Sequence, residues 1–117
     1  MLTAVIQIGN TDGKLNQNEW AHFAEYMRSA IGENVYRIHF SGGSDWDAPW
    51  QNACWVCELS EDQVAGLTSA VSACRRQFSQ ESAAITWGDT VLCEVRDGEL
   101  VMHESASLGG SRALDGA

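Results

Sequence analysis

VYRIHF-SGGSDWDAPWQN-ACWVCEL, residues 35–59, is the stretch whose reading decides the fold. Its first six residues alternate, with Tyr36, Ile38 and Phe40 expected on one face and Val35, Arg37 and His39 on the other, as a half-buried strand requires. Ala53 to Leu59 is apolar on both faces, which suits a strand in the middle of a sheet. Two strands therefore follow one another directly, joined by a loop that opens with Ser41-Gly42-Gly43-Ser44 and reads as a flexible hairpin connection.

Helices flank this pair. Downstream, Ser60 and Gln63 form a capping-box pattern, and Val64, Leu67, Val71, Cys74 and Phe78 recur at helical spacing, predicting a helix from about Glu61 to Phe78. Upstream, Thr3 to Ile8 is a β-branched apolar strand ending in the turn cluster Gly9-Asn10-Thr11-Asp12-Gly13. Asn16 with Glu19 is a second capping box. It opens a helix whose apolar stripe is Trp20, Phe23, Ala24, Met27, Ala30 and Ile31, closed by Gly32. After Ser79 to Ser82, Ala83 to Trp87 is a fourth strand; Gly88-Asp89 marks a bulge or turn before Thr90 to Val95. Asp97-Gly98 signals a hairpin that returns Glu99 to His103 as an edge strand.

The resulting order, βαββαβ, is that of a ferredoxin-like α+β sandwich, here with an extra C-terminal hairpin strand. Residues 1–104 are expected to form one domain, and the Ser, Gly and Ala-rich residues 105–117 a disordered tail. In this topology the exit of strand one, the turn between strands two and three and the entry to strand four share one end of the sheet. Three loops, 9–16, 41–52 and 79–82, should then converge. They carry Asn10, Asp12, Lys14, Trp46, Asp47, Trp50, Gln51, Asn52, Gln80 and Ser82, the residues expected to bind a ligand or partner. Amides, a carboxylate, an amine and a hydroxyl beside tryptophan suit a neutral polar ligand or a protein surface. The competing structural role is local: Asn10, Asp12 and Asn52 can instead tie the turns to their own backbone.

Composition removes several function classes. The chain of 117 residues carries a formal charge of −9, which repels phosphate backbones and anionic lipid, so neither nucleic acid nor membrane is an expected partner. Its acids are dispersed, as on a solvated surface; a decoy for a DNA-binding protein would need them gathered on one face. No apolar run is long enough for a membrane span, and Met1-Leu2-Thr3 leads straight into a strand, so a cytoplasmic location is expected. Cys54-Trp55-Val56-Cys57 has a metal-site spacing, but residues three apart in a strand point to opposite faces. With Cys74 on a helix stripe and Cys93 in a strand, the reading is four reduced thiols, no metal and no cofactor. His22, His39 and His103 lie outside the convergent loops and read as ordinary partly exposed histidines.

Three words in these loops, Ile8-Gly9-Asn10-Thr11-Asp12-Gly13-Lys14-Leu15-Asn16-Gln17, Pro49-Trp50-Gln51-Asn52-Ala53-Cys54-Trp55 and Gln80-Glu81-Ser82-Ala83-Ala84-Ile85-Thr86-Trp87, resemble a family of small proteins from actinobacteria and their phages. Its members carry an I-G-N-S-D-x-K-L-x-Q opening, a W-Q-N-A-x-W centre and a Q-x-S-I-A-W close. Here Thr11 stands for the usual Ser and Gly13 for the usual acid. The resemblance covers about the first ninety residues and implies a phage or actinobacterial origin; it assigns no reaction.

Function follows from the place rather than from a reactive group. Trp46, Trp50 and Trp55 and the chain's one proline fall within ten residues, with Trp46 and Trp50 expected as exposed or partly packed anchors and Trp55 as core. The reading is a small cytoplasmic binding module, a phage or actinobacterial accessory protein that engages a protein partner through this surface. The sheet's uncovered face, where Val5, Cys54 and Val56 are expected, offers a route to a homodimer. The alternative is a small-molecule site or small enzyme at the same loops. Asp12 with Lys14, joined by Asp47, is the best catalytic grouping available, and the reading leans away from catalysis.

Overall fold

The computed structural model describes residues 1–45, 48, 50–96 and 99–104. Trp46, Asp47 and Pro49, and with them the expectations placed on the first two, lie outside the described residues, as does the tail expected at 105–117. Strand β1 (Leu2–Gly9), helix α1 (Gln17–Gly32), strands β2 (Arg37–Gly43) and β3 (Asn52–Leu59), helix α2 (Val64–Gln77) and strand β4 (Ala84–Asp89) follow in that order. Strands β5 (Val91–Arg96) and β6 (Glu99–Glu104) are the last of the described elements. The main sheet runs β2-β3-β1-β4, antiparallel throughout. This is the expected ferredoxin-like α+β arrangement.

β1 is the sheet's axis, because its alternation is satisfied on both flanks. Ile6 pairs with Trp55 on one side and Ile85 on the other. Ala4, Ile6 and Ile8 are buried with Trp55, Cys57 and Leu59 beneath the helices. Thr3, Val5 and Gln7 take the opposite face with their register partners Glu58, Val56 and Cys54. One face is thus covered and the other open. Cys54 and Cys57 stand on opposite faces, as strand geometry dictates.

Both helices bury the stripes their spacing predicts, Trp20, Phe23, Met27 and Ile31 on α1 and Leu67, Val71 and Cys74 on α2. The α1 capping box is formed: Asn16 Oδ1 accepts from the Glu19 N–H at 2.8 Å, and Glu19 Oε1 from the Asn16 N–H at 2.9 Å. Gly32 is the last helical residue and Glu33 caps the end. At Ser60 the second box opens a single 3-10 turn, Glu61–Gln63, before α2 begins.

Four expectations are corrected. β2 does not keep strict alternation, because a bulge at His39 shifts the register: Ile38 pairs with Cys57 and Phe40 with Val56. Ile38 therefore joins the core face and Phe40 the open one. The strand also runs through Gly42 and Gly43 instead of releasing them as a flexible loop. A Cβ on Gly43 would lie 2.8 Å from the Asn52 carbonyl oxygen, so close backbone packing needs glycine there, whereas one on Gly42 would lie 2.8 Å from the exposed Phe40 ring, which would have to shift. Gly88-Asp89 is no turn either, since both lie in β4, paired with Thr3 and Leu2. Finally, β6 is no edge strand of the main sheet, because β5 and β6 pair as a separate two-stranded sheet.

Phe23 anchors the covered face. It is fully buried, edge-on to Trp20 at 6.0 Å between ring centres and tilted against Phe78 at 5.1 Å. Replacing Phe23 by Ala is expected to cost about 3–5 kcal/mol, most of the stability of a domain this size, read as a shift in the urea midpoint. An unchanged midpoint would mean that Phe23 does not hold the layers together.

Candidate functional site

The three loops converge at the sheet end where β1 and β2 exit and β3 and β4 enter. Asn10 holds them. Its buried side-chain amide donates to the Leu15 carbonyl at 2.8 Å and to Gln51 Oε1 at 2.9 Å, and its Oδ1 accepts from the Leu15 N–H at 3.1 Å. Its backbone N–H also donates to the Gln51 carbonyl at 2.9 Å. Gln51 in turn donates through Nε2 to Gln17 Oε1 at 2.7 Å. A connected ridge of amides, Asn10, Gln51 and Gln17, therefore ties the first loop, the entry to β3 and the start of α1.

Asp12 makes a local turn, its Oδ1 accepting the Lys14 N–H at 3.0 Å. The Lys14 ammonium lies 3.9 Å from Asp12 Oδ2 and 3.4 Å from Glu81 Oε1, linking the first loop to the third. All three side chains are exposed enough that the contact orders the rim more than it stabilises the fold. In the third loop, α2 ends with Ser79 at φ 57. The Ser79 N–H donates to the Arg76 carbonyl at 3.0 Å and the Gln80 N–H to the Arg75 carbonyl at 2.8 Å, the paired bonds of a Schellman cap. Gln80 is buried there. Its Nε2 donates to the Phe78 carbonyl at 3.2 Å, and the Arg75 guanidinium donates to its backbone oxygen at 3.2 Å.

Two hollows lie on either side of the ridge. A cleft of about 720 Å³ on the open face is lined by Thr11, Asp12, Phe40, Gly42, Asn52, Cys54, Gln80, Glu81 and Ser82, among others. A second hollow, of about 560 Å³, is bordered by Asn10, Gln17, Trp20, Ser44, Asp45, Trp50, Gln51 and Asn52. The structure thus brings Asp12, Asn52, Gln80 and Ser82 to one cleft, and Asn10, Trp50, Gln51 and Asn52 to the other hollow. Lys14 stands on the rim. Asn10 and Gln80 prove to be structural holders, buried and bonded inward, whereas Trp50 is 49% exposed and Trp55 only 4%.

The sequence reading missed Phe40, Cys54 and Glu81 as cleft residues. Phe40 reaches the cleft, 57% exposed, because the bulge turns it to the open face. His39 is a second surprise: its Nε2 lies 2.7 Å from Oε1 of Glu58, a fully buried carboxylate on β3. Pairing between positions 39 and 58 has no local signal. Among the described residues no imidazole lines the cleft.

Burial pushes the Cys57 thiol up to about 11, with Cys54 adding to the effect and Arg28 opposing it; burial also raises Cys74. Cys54 is half-buried and Cys93 exposed.

No family model and no curated protein matches the chain. Among solved structures it is similar to one described as a dimeric ferredoxin-like protein of unknown function from Thermobifida fusca, at 9% identity and a TM-score of 0.54, covering 75% of this chain and 90% of that one. That likeness establishes the fold. Among the described residues no helix is long and apolar enough to cross a membrane.

Two outcomes follow from this geometry. Asn10→Ala leaves the Leu15 N–H and carbonyl unpaired at a buried position and is expected to cost about 1–3 kcal/mol, measured by urea unfolding. Cost-free replacement would show that the ridge does not hold the loops. At pH 8, a thiol reagent should modify Cys54 and Cys93 in the folded protein and reach Cys57 and Cys74 only on unfolding; four equally fast reactions would contradict the placement of Cys57 and Cys74 in the core.

Proposed function

We propose that this chain is a small interaction module, a phage or actinobacterial accessory protein of the cytoplasm, which engages a protein partner through its loop end and a second copy of itself through the open sheet face. One observation carries the reading: Trp50 stands half exposed beside the hydrogen-bonded ridge of Asn10, Gln51 and Gln17. An aromatic anchor next to polar groups already held in place is what protein interfaces use, and preorganised groups lose little freedom on binding. Asp45 in the same hollow, with Asp12 and Glu81 in the neighbouring cleft, suits a partner surface bearing amides or cations. Free thiols at all four cysteines suit a reducing compartment, and the resemblance of the loop words supports the origin.

Self-association draws support from the open face. Val5 and Val56 are half-buried there and Phe40 is exposed, and the structural neighbour is described as dimeric. The cleft favours a second reading, a small neutral polar molecule seated between the loops, since its volume falls within the range of small-ligand sites. Nothing in its lining calls for a reaction.

The test is affinity capture from an actinobacterial lysate with the wild-type chain and with Trp50→Ala. Because the ring is half exposed, the substitution should change stability by less than about 1 kcal/mol, while a captured partner should fall at least about tenfold. Retention of every partner by a folded Trp50→Ala variant would reject the loop-end surface, and a thermal-shift screen of neutral polar metabolites would then decide for the cleft.

A further inference from the structure

The floor of the loop-end cleft is one register row across the main sheet. Gly42 pairs with Cys54, Cys54 with Gln7 and Gln7 with Ala84, so the row crosses all four strands, three spacings of about 4.8 Å. Its two edge positions carry almost no side chain, and between them stand the half-buried Cys54 thiol and the exposed Gln7 carboxamide. At the β2 edge the exposed Phe40 ring leans over Gly42, close enough that a Cβ there would clash with it. Toward the loop end the next row adds Asn52, whose Oδ1 lies against Gly9, its cross-strand partner. Thr11, Asp12, Glu81 and Ser82 line the cleft from the first and third loops.

Different classes of small molecule meet this lining differently. A phosphate or carboxylate would face Asp12 and Glu81, and among the described lining residues there is no Lys, Arg or His to offset them. The Lys14 ammonium on the rim is already shared between those two carboxylates, at 3.9 and 3.4 Å. A wholly apolar molecule would strip water from amides, hydroxyls and carboxylates without replacing their hydrogen bonds. A flat heterocycle could stack on Phe40, but its donors and acceptors are fixed along its edges. A sugar ring meets every part of the lining. Each hydroxyl both donates and accepts, so it can serve a carboxylate, which only accepts, and a carboxamide, which does both. Its C–H groups are slightly positive and settle on the negative face of an aromatic ring. We propose that the cleft binds a neutral carbohydrate, with Phe40 as the platform for one ring face and Gln7, Asn52, Asp12 and Glu81 holding the hydroxyls. The proposal rests on the reading of the cleft as the seat of a small neutral polar molecule, and it names the class of that molecule. A volume of about 720 Å³ lies well within the ~300–1,000 Å³ of ligand sites and admits a disaccharide.

Chemical-shift mapping by NMR on the full chain tests this. The probes are glucose, galactose, mannose, N-acetylglucosamine, maltose and cellobiose, with glucose 6-phosphate as the anionic counterpart and nicotinamide as a neutral flat heterocycle. The expected result is saturable binding of at least one neutral sugar, with the largest shifts at Gln7, Asn52 and Cys54, and weaker binding of glucose 6-phosphate and nicotinamide. Phe40→Ala, at an exposed position, should keep the wild-type circular dichroism and weaken the sugar about tenfold; unchanged affinity would overturn the platform. Glu81→Gln alters a side chain that is 85% exposed and should narrow the gap between glucose and glucose 6-phosphate. An unchanged gap, or tighter binding of glucose 6-phosphate to the wild type, would overturn the exclusion of anions. If nicotinamide shifts the cleft residues and no sugar does, the carbohydrate is overturned and the small-molecule cleft stands. If no probe shifts them, both fall, and the Trp50 surface is untouched. Sugar-induced shifts centred on Trp50 would likewise overturn the cleft as the site.

Discussion

Everything in this molecule depends on the central strand having two different faces. β1 is hydrogen-bonded on both edges, so its side chains can go only up or down, and Ala4, Ile6 and Ile8 go to the helices while Thr3, Val5 and Gln7 do not. Its neighbours inherit that division through the register. Phe23 and the apolar stripes of α1 and α2 need the first set as their floor. The second set takes the opposite face, and the loop-end cleft opens on it.

The loop end obeys a different constraint, the need to satisfy buried polar groups. Asn10 sits where the chain leaves the covered sheet, with backbone groups that water does not reach, and its side chain supplies the missing partners. Because it also bonds Gln51, the same residue that satisfies one loop fixes the next. The Schellman cap at Ser79 and Gln80 does the corresponding work for the third loop. Residues selected for binding chemistry thus divide in two: some shape the site by facing inward, and others, Trp50, Ser82, Asp12 and Glu81 among them, are left to face a partner.

The bulge at His39 shows how one inserted residue redirects a surface. Without it Phe40 would continue the core alternation of Ile38; with it the ring stands over Gly42 as one wall of the cleft, and His39 hydrogen-bonds the buried Glu58. The polar pair therefore lies along the strand from the aromatic wall, on a sheet whose other face is wholly apolar at the centre.

By itself the sequence determined the order of elements, the helical stripes, the Asn16 cap and the turn grammar of Asn10 and Asp12, because each rests on spacings of two, three or four residues that local geometry imposes. The convergence of the three loops followed from that order, since an antiparallel βαββαβ sheet has only one end for them. Tertiary structure alone decided what depended on partners distant in the chain. His39 meets Glu58, Lys14 meets Glu81, and β5 pairs with β6 in a sheet of their own. No local pattern encodes the length of a neighbouring strand or the position of a bulge. The faces of Phe40 and the fate of the last hairpin therefore became legible only once the strands were set side by side.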